Sequence, residues 1–420
     1  MVNQLPVAII GGGPVGMSAA AHLSKRNKNF VLLEKGQSVG NSLLEWQHVR
    51  MFSPWEFNID KIAEELLKAN GWIAPPKEEL PTGLELVKRY LLPLAEVPQL
   101  KSYLQTNCHV RSIQRFGIDK MKTNGRETFP FEVVYEQNNE MKTMYASAVI
   151  DATGTWGSPN PAGSSGNKAL GESAYSTRIL YGIPETMNRD KERYAGKTVA
   201  VIGSGHSALN SILELEKLKQ LKPTTKIVWV LRRQKVSAVY GGGINDELPA
   251  RGEMGYSVSK LVETGRVQVQ PQFRIHTIEM ADEKLQLKGM INRKLATLNG
   301  IDEIIVNTGA RPNFSFIKEL QYESDYRLES VPALAELIDP NVHSCGTVRA
   351  HGEKELRQPE QNFYIVGSKS YGRAPTFLMT TGYEQVRSVV AALTGDWEEA
   401  KKVKLNLPET GVCGVERKFR

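Results

Sequence analysis

Short apolar runs that end in glycine alternate with longer small-residue or amphipathic stretches along this chain, the pattern of strands feeding helices. Residues 6–10 predict a strand that enters Gly11-Gly12-Gly13-Pro14-Val15-Gly16, and the small residues of 17–26 suit a helix. Residues 30–33 predict a second strand, ending at Glu34. Together these make one βαβ unit. The pattern then changes: residues 46–103 are proline-rich and helical over 59–70 and 84–92. Residues 131–135 and 142–145 flank the polar stretch 136–140 and predict a hairpin or meander, and 148–151 predict a strand entering Ala152-Thr153-Gly154. Residues 157–171, rich in Gly, Ser, Pro and Asn, read as a linker.

Beyond the linker the opening pattern returns. Residues 197–202 predict a strand, Gly203-Ser204-Gly205-His206-Ser207-Ala208 a second glycine turn, 209–221 a helix, and 226–231 a strand ending at Arg232-Arg233. This internal repeat is the most informative feature of the sequence. Later strands are expected at 303–307, before Thr308-Gly309, and at 362–366, before Gly367-Ser368; 381–393 predicts a closing helix.

In each turn the first glycine allows a tight bend, the second admits a pyrophosphate, and the third small residue lets helix pack on strand. The phosphates then meet the helix N-terminus. Glu34 is placed to accept bonds from a ribose diol, which suits a dinucleotide in the first unit. Arg232 and Arg233 stand where a carboxylate would repel a 2′-phosphate, and guanidinium groups bind one in bidentate fashion. The second unit therefore points to NADPH.

Hydrophobic residues at 40% and charged residues at 24% of 420 describe a globular chain, and the 53 Lys and Arg against 46 Asp and Glu are scattered rather than blocked. No nucleic-acid partner is expected. The three cysteines, Cys108, Cys345 and Cys413, are far apart, which excludes a C-x-x-C redox pair, a zinc ribbon and a disulfide framework; no metal site is expected. No apolar run reaches membrane length and the first residues lack a signal-peptide pattern, so a cytoplasmic location without membrane partners is expected.

One acidic and one basic dinucleotide turn in one chain resemble the flavoproteins with two dinucleotide-binding domains. Within them, the chain is most similar to flavin-containing monooxygenases and the bacterial flavoproteins grouped with them. Asp151-Ala152-Thr153-Gly154 and Thr308-Gly309-x-Arg311-Pro312 resemble the two crossings between their domains, and residues 363–367 their late flavin-side strand. The resemblance implies an α/β fold of two Rossmann-like dinucleotide-binding domains. The FAD domain takes 1–156, with a helical insertion about 54–107, and 311–395. A linker covers 157–195, the inserted NADPH domain 196–310, and a C-terminal tail 396–420. Cofactor contacts are expected from Gly11, Gly13, Pro14, Val15, Gly16, Glu34, Lys35, Trp46, His48, Val110, Thr153, Gly154, Gly367 and Ser368 for FAD. For NADPH they are expected from Gly203, Ser204, Gly205, His206, Ser207, Ala208, Arg232, Arg233, Thr308 and Gly309.

The activity implied is NADPH-dependent monooxygenation of a small molecule with dioxygen, through a flavin C4a-(hydro)peroxide. His48 either sits over the flavin or is structural, and Cys345 either approaches the flavin or is an inert buried thiol. Both are the candidate catalytic residues. The sequence departs from the resemblance at two points: Tyr175-Ser176-Thr177-Arg178 lacks the histidine of the monooxygenase signature, and the Asn that contacts the flavin peroxide in that family has no counterpart near Ser53–Asn58. The late glycine is followed by Ser368, as in monooxygenases, where disulfide reductases have Asp. Alternatives are NADPH-dependent reduction of a small disulfide using Cys345, oxidation of trivalent arsenicals, and a redox sensor that holds FAD and NADP without turnover. A homodimer is left open.

Overall fold

The computed structural model describes residues 2–241, 248–339, 348–374 and 377–405. In chain order the strands are β1 (Val7–Ile10), β2 (Phe30–Leu33), β3 (Leu104–Gln105), β4 (Cys108–Arg115), β5 (Phe131–Gln137), β6 (Glu140–Ala146), β7 (Ala148–Asp151) and β8 (Ile179–Tyr181). They continue as β9 (Thr198–Ile202), β10 (Lys226–Val230), β11 (Val267–Gln270), β12 (Arg274–Ala281), β13 (Lys284–Ile291), β14 (Lys294–Ile301), β15 (Glu303–Val306) and β16 (Phe363–Ile365). The described chain forms two compact units: one holds residues up to Ser158 and again from Arg311, the other Pro159–Ala310.

The first unit is built on a parallel sheet ordered β16-β7-β1-β2-β3. Every residue of β1 is buried, as befits a strand covered on both faces. The helix Pro14–Lys25 connects β1 to β2, with proline at its first turn where no N–H is needed. It starts three residues before the sequence pattern suggests, because the glycine turn tightens straight into it. The helices Lys61–Ala69 and Met379–Leu393 pack against it. An antiparallel meander, β4-β5-β6, completes the unit. Its β5–β6 hairpin turns at Asn138 and Asn139, both left-handed at φ 54° and 64°, the two-residue turn whose twist matches the strands.

The second unit repeats the plan with a parallel sheet β11-β10-β9-β15-β8 and a meander β12-β13-β14. The helix His206–Leu221 joins β9 to β10. In both sheets the central strand, β1 or β9, has its sequential neighbour on one side and a later strand on the other. The end of that strand is a topological switch point, where open α/β sheets bind ligands.

Three details go beyond the sequence pattern. The segment expected to be purely helical closes with β3, which pairs with β2 and widens the sheet. The expected helix over 84–92 is Gly83–Leu86, a π-turn at Val87–Leu91, and Leu92–Glu96. The segment read as a tail carries the helix Trp397–Lys401, whose N-cap Asp396 accepts from the Glu399 N–H. A single turn this short has too little periodicity to show in sequence.

Candidate functional site

The first glycine turn leaves β1 with Gly11 at φ +103°, where a β-carbon would sit 2.8 Å from the Ala152 carbonyl oxygen. A β-carbon on Gly16 would lie 1.9 Å from the Gly11 oxygen. Both positions hold the backbone in contact and exclude any side chain. At Gly13, the helix N-cap, an added β-carbon meets nothing within 4 Å, and no side chain caps the helix. The turn is therefore closed behind and open in front at the helix N-terminus. That cradle fits a diphosphate.

Glu34 is tied to the same turn. One carboxylate oxygen accepts the Gly12 N–H at 2.6 Å and the other the Gly36 N–H at 2.6 Å. A carboxylate has about four acceptor positions, so two remain for a ribose diol. Lys35 is exposed, and its charge helps burial hold the His109 imidazole below the usual histidine range. Val110 lies buried in β4, which joins this corner where the Cys108 N–H donates to the Glu34 carbonyl. Gly40 donates to the Gly12 carbonyl and starts the short helix Asn41–Leu44, which leads to half-buried Trp46 and His48. The Trp46 ring lies 6.2 Å from that of Trp156, whose indole N–H donates to Glu45.

The loops after β7 and β16 meet the first turn. Val15 carbons come 3.3 Å from where a Gly367 β-carbon would be, and Ser368 Oγ comes 3.3 Å from the equivalent point on Gly154. So Gly11, Val15, Thr153, Gly154, Gly367 and Ser368 converge. Buried at this junction is a group the sequence reading missed. The Lys369 ammonium, fully buried, lies 2.6 Å from Asp151 Oδ2, also fully buried. It also donates to Thr153 Oγ1 at 3.2 Å and to the Asn313 carbonyl at 2.7 Å. The signal available was an aspartate ending an apolar strand, which requires a buried counter-charge. On the other flank Gln385 accepts the Gly367 N–H and donates to Ser370 Oγ and to His351 Nε2.

The second turn has the same construction. Gly203, at φ +139°, would place a β-carbon 2.1 Å from the Asn307 carbonyl oxygen, and Gly205 faces open space. Ala208, the third position, is fully buried against the strand, and Ser204, His206 and Ser207 are half-buried. His206 is the first residue of the helix, with Gly205 as its N-cap. Thr308 Oγ1 donates to the Asn160 carbonyl, and the Gly309 carbonyl accepts the Asn160 N–H. Arg232 and Arg233 are both exposed; Arg232 Nη1 donates to the Ser164 carbonyl at 3.0 Å.

Cys345 and Cys413 lie outside the described residues. Cys108 is buried, and burial raises its thiol above the usual range. Among the described residues no cluster of His, Cys, Asp and Glu could hold a metal, and no helix is long and apolar enough to cross a membrane. A cavity of about 590 Å³ in the first unit, lined by His22, Trp55, Asp60 and Tyr383 among others, includes none of the predicted site residues. Trp55 is core at 1% exposure, and half-buried Trp72 donates its indole N–H to the Arg89 carbonyl.

The model of one protein family, pyridine nucleotide-disulphide oxidoreductase, matches residues 8–346 and so spans both glycine turns. The chain belongs to the pyridine nucleotide-disulphide oxidoreductase family. It is an oxidoreductase with FAD and NADPH as cofactors. Two ferredoxin–NADP reductases are similar in sequence. That of Lactococcus lactis is 24% identical over 399 residues, 94% of this chain and 96% of the relative. Ferredoxin–NADP reductase 2 of Oceanobacillus iheyensis is 27% identical over 168 residues, 40% of this chain; the match spans only 44% of that relative. Among solved structures, the bacillithiol disulfide reductase Bdr of Bacillus cereus superposes with a TM-score of 0.68 at 20% identity, covering 93% of this chain and 99% of that one. The FAD-bound cadaverine monooxygenase DfoA of Erwinia amylovora gives a TM-score of 0.65 at 12% identity, covering 97% of each chain. Likeness at this identity establishes the shared fold of two Rossmann-like domains. Reductases and monooxygenases both share it.

Proposed function

We propose that this family member is an NADPH-consuming monooxygenase acting on a small molecule with dioxygen. The cysteine distribution carries the reading. No two of the three cysteines are near in sequence, and Cys108 is a buried thiol on β4 with Thr106 as acceptor. A dithiol relay built from a local cysteine pair is thus absent from the sequence, whereas oxygen transfer needs none.

FAD belongs to the first unit and NADPH to the second. When bound there, FAD would supply the hydride-accepting and oxygen-activating chemistry, and the residues of the chain would hold and orient it. Gly13 leaves room for the diphosphate, the helix N-terminus neutralises it, and Glu34 accepts from the adenosine ribose. Thr153, Gly154, Gly367 and Ser368 line the flavin side. Arg232 and Arg233 grip the 2′-phosphate of NADPH. The test is oxygen uptake by purified protein with NADPH and candidate soft nucleophiles or carbonyl compounds. Substrate-stimulated uptake with a transient flavin absorbance, distinct from the oxidised and reduced forms, is expected; uptake that never yields oxygenated product overturns it.

A second reading, reduction of a small disulfide through Cys345, is favoured by the family's named chemistry, since Cys345 falls within the matched residues. Loss of NADPH-dependent disulfide turnover in Cys345→Ser, with no oxygenation in the wild type, selects it.

A further inference from the structure

We propose that Lys369 is a positioning residue for the flavin: its ammonium locks the loop 152–154 and the segment 367–371 into the placement that FAD requires. This rests on the assignment of FAD to the first unit.

The contacts define the charge state. Nζ faces Asp151 Oδ2, Thr153 Oγ1 and the Asn313 carbonyl, while the Thr153 hydroxyl donates to Asp151 Oδ1. Three acceptors therefore surround one nitrogen, and only the protonated amine carries three donors. The rings of Phe316 and Phe314 lie 4.4 and 5.4 Å away, and their faces attract the cation. Burial pulls the lysine below its ordinary range and Asp151 opposes that pull.

Core filling does not explain this arrangement. A fully buried lysine is rare, and an apolar pair of similar volume is usually as stable or more so. What the ion pair adds is directional fixing of three segments. The strands β7 and β16 pair as far as the bond from the Val366 N–H to the Asp151 carbonyl, then diverge. Beyond that point Lys369 is the bridge back, reaching the loop after β7 and the chain at Asn313. Ser368, the residue before it, is thereby set against Gly154. Gln385 fixes the same segment from the helix side, so the Gly367-Ser368 backbone is held on both flanks.

The experiment compares FAD affinity of apoproteins by fluorescence titration together with their melting temperatures. Asp151→Asn/Lys369→Met removes both charges at once, so neither is left buried alone. It should melt within a few degrees of wild type yet bind FAD at least tenfold more weakly. Wild-type affinity in that variant overturns the proposal. Lys369→Gln keeps a donor for Asp151 and serves if the double variant does not fold: weaker FAD binding at similar melting temperature supports the role, and unchanged binding refutes it. Gly13→Trp separates the two levels. If it binds FAD normally, the assignment of the first unit fails; if it loses FAD while the double variant binds fully, only the role of Lys369 fails.

Discussion

The Glu34 carboxylate holds the Gly12 N–H at 2.6 Å, so the residue that ends β2 braces the turn that ends β1. Glu34→Gln turns one acceptor into a donor facing a backbone N–H. We expect FAD affinity to fall about tenfold, equivalent to roughly 1.4 kcal/mol. Titration of the apoprotein checks this, and an unchanged dissociation constant would mean that Glu34 serves the turn alone.

Gly13 and Gly16 should respond oppositely. A side chain at Gly13 enters open space, so Gly13→Trp should keep the apoprotein's melting temperature and lose flavin. At Gly16 a β-carbon collides with the Gly11 oxygen at 1.9 Å, so Gly16→Val should lower stability itself. Equal effects on folding at both positions would contradict an open cradle.

NADPH should be preferred over NADH through Arg232 and Arg233. A hydrogen bond to a charged group contributes about 1.5–3 kcal/mol, so losing both arginines should cost on the order of a hundredfold in kcat/KM for NADPH. Arg232→Ala/Arg233→Ala should leave kcat/KM for NADH nearly unchanged. Parallel losses with both nucleotides would show that the pair only supports its loop.

Glu360 lies between two buried arginines, Arg115 and Arg126, at 2.8 Å from each. Removing the anion leaves two buried cations unpaired, a loss of roughly 3–5 kcal/mol. Chemical denaturation of Glu360→Ala should show it; a shift below about 1 kcal/mol would mean that water replaces the carboxylate.

His351 is buried and its imidazole is pushed below the usual histidine range by desolvation. It is held neutral, with Nε2 facing the Gln385 amide and Nδ1 the Arg349 carbonyl. The unfolded chain binds this proton more readily, so its contribution is present above the unfolded value of about 6.5 and lost as pH falls below it. Melting curves between pH 7.5 and 5 should decline more steeply for wild type than for His351→Gln. Parallel curves would exclude His351 as the titrating group.

The sequence by itself determined the two glycine turns, their strands and helices, and the acidic and basic residues that follow them. These are local: a tight turn, a helix start and the end of the next strand are all encoded within a few dozen residues by periodicity and glycine. Tertiary structure alone decided what lies behind the turns. Asp151 and Lys369 are 218 residues apart, and neither residue type signals the other until β7 and β16 pair. The two-residue strand β3 is likewise invisible in sequence, because only β2 gives it a hydrogen-bonding partner. The same holds for Gln385 and His351, polar groups in an apolar helix and a loop that become a network only on packing. Open space at Gly13 and at Gly205 is also a tertiary fact, since a glycine in sequence does not reveal whether its missing side chain faces protein or ligand.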